Sequence, residues 1–134
     1  MRRPKKRTLE ELRPLVRDGR YRICPHALRH AMCEGFTEQD MVGAVLYGKE
    51  LLRYTQDARL LVLGYIHPSP QVKIPLHVVL EYAKPRHVDV VTAFIPLEAH
   101  RVVSRARLAE MLRHDRHEPA VRLTGVGARY AFKP

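Results

Sequence analysis

Apolar positions change their spacing along the chain, from helical in the first third to extended in the middle. Residues 9–17 and 38–47 carry apolar side chains three or four positions apart, the period of amphipathic helices. Later apolar stretches are short and bounded by glycine or proline, which favours strands; they cover residues 50–55, 58–66, 72–83 and 87–95. Residues 97–115 return to helical spacing.

The stretch from residue 25 to residue 40 predicts two helices joined by a tight turn. Pro25 suits a first helical position, and Gly35 suits the left-handed residue just past a helix end. Thr37 can cap the second helix, with Asp40 three residues later in the capping-box position. This pair is the element around which the rest of the chain is organised.

Together these elements predict an α+β fold, with three N-terminal helices packed on a three- or four-stranded antiparallel β-meander. Short turns between consecutive strands make those strands antiparallel, and we expect no strand to pass through Pro68-Ser69-Pro70. Residues 20–24 are interpreted as a link. The expected organisation is a flexible basic arm (1–7), a single α+β domain (8–96) and a C-terminal basic helix with a tail (97–134).

Positive charge is concentrated at the two ends of the chain. Residues 1–20 and residues 100–134 each carry eight Lys or Arg against three Asp or Glu, whereas residues 21–99 carry eight of each. Two basic ends indicate contact with a polyanion such as a nucleic acid; a mere solubility feature is the alternative. The candidate nucleic-acid-binding residues are Arg2, Arg3, Lys5, Lys6, Arg7, Arg101, Arg105, Arg107, Arg129 and Lys133.

The sequence contains neither of the two apolar segments, a membrane span or a signal peptide, that would indicate a membrane-bound or exported protein. No apolar run approaches the length of a membrane span, and the first residues contain no apolar segment of the signal-peptide kind. Cys24 and Cys33 are the only cysteines in the 134 residues. We therefore expect a cytoplasmic protein without a membrane partner.

His77 lies in the middle of the predicted strand 72–83. Because side chains alternate between faces, Lys73, His77 and Glu81 point the same way. A histidine between a lysine and a glutamate resembles an acid–base assembly. The alternative is a solvated or packed strand face on which His77 only forms hydrogen bonds.

Two further candidate histidines lie on the first of the two helices in residues 25–40. His26, His30 and Cys33 occupy positions i, i+4 and i+7 and form one stripe. A structural metal site usually needs four ligands, and no paired Cys-x-x-Cys or His-Glu-x-x-His motif is present. We predict neither a metal nor another cofactor.

Several blocks of the chain, in order, resemble an uncharacterised bacterial domain family with a His-Ala-x-x-Arg helix and a Pro-Leu-His-Val-Val strand. The matching blocks are Arg20–Ile23, His26–Leu28, Gly35–Asp40, Leu63-Gly64, Pro75–Val79 and Thr92–Pro96. Such domains are similar in layout to RelE- and BrnT-like toxins, which act as ribonucleases on a compact antiparallel sheet with N-terminal helices. Two positions depart from the pattern: the family arginine falls on His30 and a strand tyrosine falls on Phe94.

The resemblance implies a small RNA-acting domain, which leaves open whether it is an enzyme. If it is a metal-independent ribonuclease, we expect His77 and His26 to be the acid–base pair, with Lys73 and His30 stabilising charge while the 2′-hydroxyl attacks the adjacent phosphate. A non-enzymatic nucleic-acid-binding module is the first alternative. An interaction partner of an acidic, antitoxin-like protein is the second.

Overall fold

The computed structural model describes residues 7–113 and the backbone of residues 121–123. Its helices are α1 (Leu9–Arg17), α2 (Pro25–Glu34), α3 (Glu38–Tyr47) and α4 (Arg105–Met111), with a 3₁₀ turn at Thr55–Asp57. Its strands are β1 (Tyr21–Ile23), β2 (Lys49–Tyr54), β3 (Arg59–Ser69), β4 (Val72–Glu81), β5 (Val88–Phe94) and β6 (Val121–Leu123).

The strands form one mixed sheet in the order β2-β3-β4-β5-β1-β6. Strands β2 to β5 make the antiparallel meander that the sequence predicts, and three helices precede it. The α+β class is therefore confirmed. The meander is only part of the sheet, because β1 pairs parallel with β5 and antiparallel with β6.

The interpretation of residues 20–24 as a link is wrong, since β1 occupies most of them. Tyr21–Ile23 pairs with Val88–Val90. Arg22 and Asp89 face each other in the middle of this pairing. Arg22 donates from Nε and Nη2 to the two carboxylate oxygens of Asp89, at 2.8 and 3.2 Å, which reinforces the contact between the strands. Three residues are too few to show a period of two, and their partner strand lies far along the chain.

The central helix pair is confirmed in its details. Pro25 is the first residue of α2, and Gly35 ends that helix in the left-handed region at φ +84°. The Thr37 hydroxyl accepts a hydrogen bond from the Asp40 amide at 3.1 Å, and the Asp40 carboxylate accepts one from the Thr37 amide at 2.9 Å. The local sequence therefore specifies both helix ends.

Both faces of the sheet are covered. On one face, Leu76, Val78 and Leu80 of β4 pack in a core with buried residues of α1, α2 and α3. On the other face, Val79 packs in a second cluster with Leu108 of α4. The central strands are therefore buried on both sides, which an alternation of polar and apolar residues alone would not indicate.

The helix expected over residues 97–115 is shorter than predicted. Helix α4 covers Arg105–Met111 and begins at Ser104, whose hydroxyl accepts a hydrogen bond from the Arg107 amide at 3.2 Å. Residues 95–104, which we call the strap, have no regular secondary structure and connect β5 to α4. The serine cap sets the helix start, and of the two valines before it only Val103 is buried.

The expectation that no strand passes through Pro68-Ser69-Pro70 is wrong at its first two residues. Strand β3 continues to Ser69, and the turn begins at Pro70. The β3–β4 register shifts between Ile66 and Ser69. Proline is tolerated at such an irregularity, because its missing N–H is not required by the ladder there.

Replacing Gly35 with valine tests the turn between α2 and α3. The φ of +84° is unfavourable for a β-branched residue, so we expect the free energy of unfolding to fall by about 1–2 kcal/mol or more. Gly35→Asn is the matched control, because asparagine tolerates this region and should lose less. Chemical denaturation measures both; equal stability of the valine variant and the parent would contradict the turn geometry.

Candidate functional site

Helix α2 lies beside the part of β5 that β1 leaves uncovered. The β1–β5 pairing ends at Ile23 and Val90, and α2 begins at Pro25 and packs on β5. At the far end of α2, the Ile95 amide donates to Oε1 of Glu34 at 2.7 Å. A side chain of α2 thus accepts the hydrogen bond of the first amide after β5, which fixes Glu34 at the end of that strand.

Glu34 in turn holds His30. The Glu34 Oε2 atom lies 2.5 Å from Nδ1 of His30, one helical turn earlier. A carboxylate can only accept here, so Nδ1 donates the hydrogen bond, and in the neutral imidazole Nε2 is then the proton acceptor. Among the described residues, Nε2 has no hydrogen-bond partner, and 31% of the His30 side chain is exposed. This imidazole is therefore oriented, accessible and able to accept a proton.

The three predicted histidines are linked in a row by neighbouring rings. The ring centroids are 4.5 Å apart for His26 and His30, 6.3 Å for His30 and Phe94, and 5.3 Å for Phe94 and His77. His26 also shares a 2.6 Å hydrogen bond between Nδ1 and the Thr92 hydroxyl. The structure thus brings His26, His30 and His77 to one end of the sheet, with Phe94 between the last two.

His77 is fully buried in this row. Its Nε2 donates to the carbonyl oxygen of Ala99 in the strap at 2.7 Å, whereas its Nδ1 has no partner in the described part of the chain. Burial lowers the pKa of His77; nearby His100 also lowers it, and the hydrogen bond to Ala99 opposes both. This geometry favours the alternative of a hydrogen-bonded histidine in a packed face over direct contact with a substrate.

Lys73 and Glu81 lie apart from the histidine row. Each is four residues from His77, about 13 Å along an extended strand. The Lys73 ammonium lies 4.1 Å from the centre of the Tyr65 ring, and Glu81 pairs with Arg59 at 2.9 Å. Lys73 and Glu81 therefore have partners of their own, and the lowered pKa of His77 is caused by burial, with contributions from Ala99 and His100.

A cavity of about 650 Å³ opens between the end of α2, the end of β5, the strap and α4. Its lining includes His30 and Glu34 of α2, Arg101 of the strap and Arg107 of α4. Within the described residues, neither arginine forms an ion pair. The lining also contains the carboxylates of Glu34 and Glu98. The cavity therefore combines an oriented imidazole with two arginines that pair with no described carboxylate.

Other predicted basic residues have protein partners or lie outside the described residues. Arg105 donates to both carboxylate oxygens of Asp57, at 2.8 and 3.1 Å, which raises the pKa of its guanidinium. Arg7 donates to the Lys84 carbonyl at 2.8 Å. The residues outside the described ranges are Arg2, Arg3, Lys5, Lys6, Arg129 and Lys133.

The described ranges contain no cluster of three or more His, Cys, Asp or Glu side chains that could hold a metal ion. Cys24 and Cys33 form no disulfide bond within the described residues. No helix in residues 7–113 is long and apolar enough to cross a membrane.

Glu34, the residue that orients His30, was not among the site residues predicted from the sequence. A signal was present, since Glu34 follows His30 by four positions, the spacing at which side chains meet on a helix. Comparison with protein families, curated proteins and solved structures found no match to this chain. The function is therefore inferred from the cavity and its residues.

Proposed function

We propose that this protein binds single-stranded RNA at the cavity between α2 and α4. The observation that carries the proposal is that Arg101 and Arg107, neither of them paired with a described carboxylate, line the same cavity as His30 and the Phe94 ring. Positive groups beside an aromatic surface are the combination that single-stranded nucleic acids require.

The two arginines supply the phosphate-binding part of the site. A guanidinium presents a planar fork of donors that matches two phosphate oxygens, and it stays charged at any physiological pH. Arg101 lies in the strap and Arg107 in α4, so the two charges approach the cavity from separate segments. This arrangement suits neighbouring oxygens of a phosphodiester chain.

The apolar part of the lining suits a base. Phe94, Ile95 and Met111 contribute to the same cavity, and its volume is in the range of small-molecule sites that enclose a ligand of nucleotide size. A base inside a duplex is stacked and paired and would not be available to this surface. The site therefore favours an unpaired nucleotide.

Cleavage of the bound RNA is a second candidate function, and the Ile95–Glu34–His30 hydrogen-bond chain specifically favours it. Nε2 of His30 would take the proton of a 2′-hydroxyl, and the oxygen would attack the adjacent phosphorus. As the new P–O2′ bond forms, the P–O5′ bond breaks; the leaving oxygen takes a proton from solvent, and His30 returns its proton to solvent. Arg101 and Arg107 would stabilise the charge that develops on the phosphate oxygens.

Single substitutions of the two arginines test RNA binding. Arg101→Ala and Arg107→Ala should each weaken affinity for an unstructured RNA and lower the slope of log affinity against log salt by about 0.7, the value for one phosphate contact on a single strand. The matched control is Arg105→Ala, which removes a guanidinium already paired with Asp57. Fluorescence anisotropy over a salt series provides both quantities.

Equal losses in all three arginine variants would contradict a specific site and indicate a diffuse effect of charge. A parent protein that binds no RNA but binds an acidic protein segment through Arg101 and Arg107 would favour the interaction-partner alternative.

A further inference from the structure

The strap that carries Arg101 is attached to the sheet by two side chains from different strands. His77 of β4 donates from Nε2 to the Ala99 carbonyl at 2.7 Å. The Tyr54 hydroxyl, at the end of β2, donates to the Val103 carbonyl at 2.6 Å. These two points lie on either side of Arg101 in the sequence.

We infer that His77 and Tyr54 are positioning residues that hold the strap, and with it Arg101, at the edge of the cavity. The inference rests on the proposed function, in which Arg101 contacts RNA phosphate. It assigns to His77 a role in ligand binding without contact between its imidazole and the ligand.

The turn that His77 holds ends at Arg101 itself. The Arg101 amide donates to the Glu98 carbonyl at 3.2 Å, and Ala99 lies inside this turn. The hydrogen bond from His77 to the Ala99 carbonyl therefore ties this turn to β4. Without it, the strap backbone beside Arg101 would lose its only described side-chain hydrogen bond from β4.

Packing alone does not account for a histidine at this position. His77 is completely buried, and its Nδ1 has no partner in the described part of the chain, which costs free energy that an apolar side chain would not lose. Its imidazole packs against the Phe94 ring, so a leucine would fill this space without an unpaired polar atom. What the imidazole adds is the hydrogen bond from Nε2 to the strap.

Tyr54 is likewise a buried side chain that donates a hydrogen bond to the strap. It is 4% exposed, and burial raises the pKa of its phenol to about 12, so the hydroxyl remains a donor over the physiological range. Tyr54→Phe removes only this hydroxyl and keeps the packed ring. The pair His77 and Tyr54 can thus be tested with substitutions that keep the surrounding core filled.

Hydrogen exchange on the full chain without RNA tests the attachment directly. His77→Leu and Tyr54→Phe should make amides in residues 97–104 exchange about fivefold faster or more, while amides of α2 and α3 stay as protected as in the parent. His77→Gln should restore much of the protection, because its amide nitrogen can donate to Ala99. Unchanged exchange of the strap in both His77→Leu and Tyr54→Phe overturns the inference.

RNA binding tests whether the attachment serves Arg101. His77→Leu should weaken RNA binding about as much as Arg101→Ala does, and His77→Gln should restore it. In a double-mutant cycle, the loss caused by Arg101→Ala should shrink in the His77→Leu background, whereas the loss caused by Arg107→Ala should stay the same. If the losses caused by Arg101→Ala and by Arg107→Ala are both the same in the His77→Leu background as in the parent, the inference that His77 positions Arg101 is wrong. If the parent binds no RNA, the proposed function fails, and hydrogen exchange still decides whether His77 and Tyr54 hold the strap.

Discussion

Replacing His30 with alanine should lower RNA cleavage by about 10²–10⁴-fold, the usual loss on removing a general base, while RNA binding is retained. His30 is the histidine of the row that is both oriented by a carboxylate and exposed in the cavity. Its Nε2 is the atom placed to accept a proton. The expected result is therefore a loss of turnover in a folded protein.

Glu34→Gln should reproduce much of that loss through the tautomer of His30. The glutamine oxygen can accept from the Ile95 amide, as Oε1 of Glu34 does, so its NH₂ group would face Nδ1 of His30. Nδ1 would then be the acceptor, and the proton of the neutral ring would lie on Nε2, which could no longer act as a base. A single-turnover assay with a labelled RNA measures the effect.

His67→Ala is the control, because His67 lines a different cavity, beside Tyr47 and Tyr65. Its turnover should equal that of the parent. Full activity in both His30→Ala and Glu34→Gln would contradict cleavage at this site. Binding without turnover in the parent would leave RNA binding as the function of the cavity.

The helix pair could be predicted because its signals are local. Pro25, Gly35, Thr37 and Asp40 each act on the backbone within a few residues, and the structure confirms all four. Strand β4 is also confirmed, with His77 in its middle. Such features depend on conformational preferences and hydrogen bonds that a short segment satisfies by itself.

The rest of the sheet depends on contacts between distant residues. Strand β1 is three residues long and exists because Val88–Val90 offers it a parallel partner. The second buried face of β4 exists because the strap and α4 return to cover it, with Val103 and Leu108 in the core. Neither the pairing of β1 nor the burial of the second face of β4 can be predicted from the apolar spacing of the strand concerned.

The candidate site also combines a local contact, which the sequence could predict, with long-range contacts, which it could not. The His30–Glu34 pair is a local i, i+4 contact, and the sequence contains the information to find it. Its meeting with Arg101 and Arg107 depends on the irregular path of the strap, which helical spacing over 97–115 failed to predict. His77 was a candidate because of its central place in a strand, and this same place is what buries it.

The packing of α3 on β3 gives the second large expected effect, at Gly64. A Cβ atom at this position would lie 2.4 Å from Cα and 2.5 Å from Cβ of Ala44 in α3. The closer of these two atoms belongs to the backbone, so a change of side-chain rotamer cannot relieve the clash. We expect Gly64→Ala to lower the free energy of unfolding by about 2–3 kcal/mol, since α3 must move away from the sheet.

Two further variants separate this close approach from a general effect of glycine. Gly43→Ala adds a methyl group one residue before Ala44, where nothing lies within 4 Å, so it should stabilise the helix by up to about 1 kcal/mol. Ala44→Gly in the Gly64→Ala background removes the methyl group of residue 44 but leaves its backbone in place. Because glycine itself costs the helix up to about 1 kcal/mol, Ala44→Gly in the parent is the reference for this change. Denaturant titration of these variants and the parent provides the comparison. After subtraction of the reference cost, full recovery would show that side chains alone set the distance between α3 and β3, whereas the partial recovery that we expect would show that the helix backbone rests directly on the strand at Gly64.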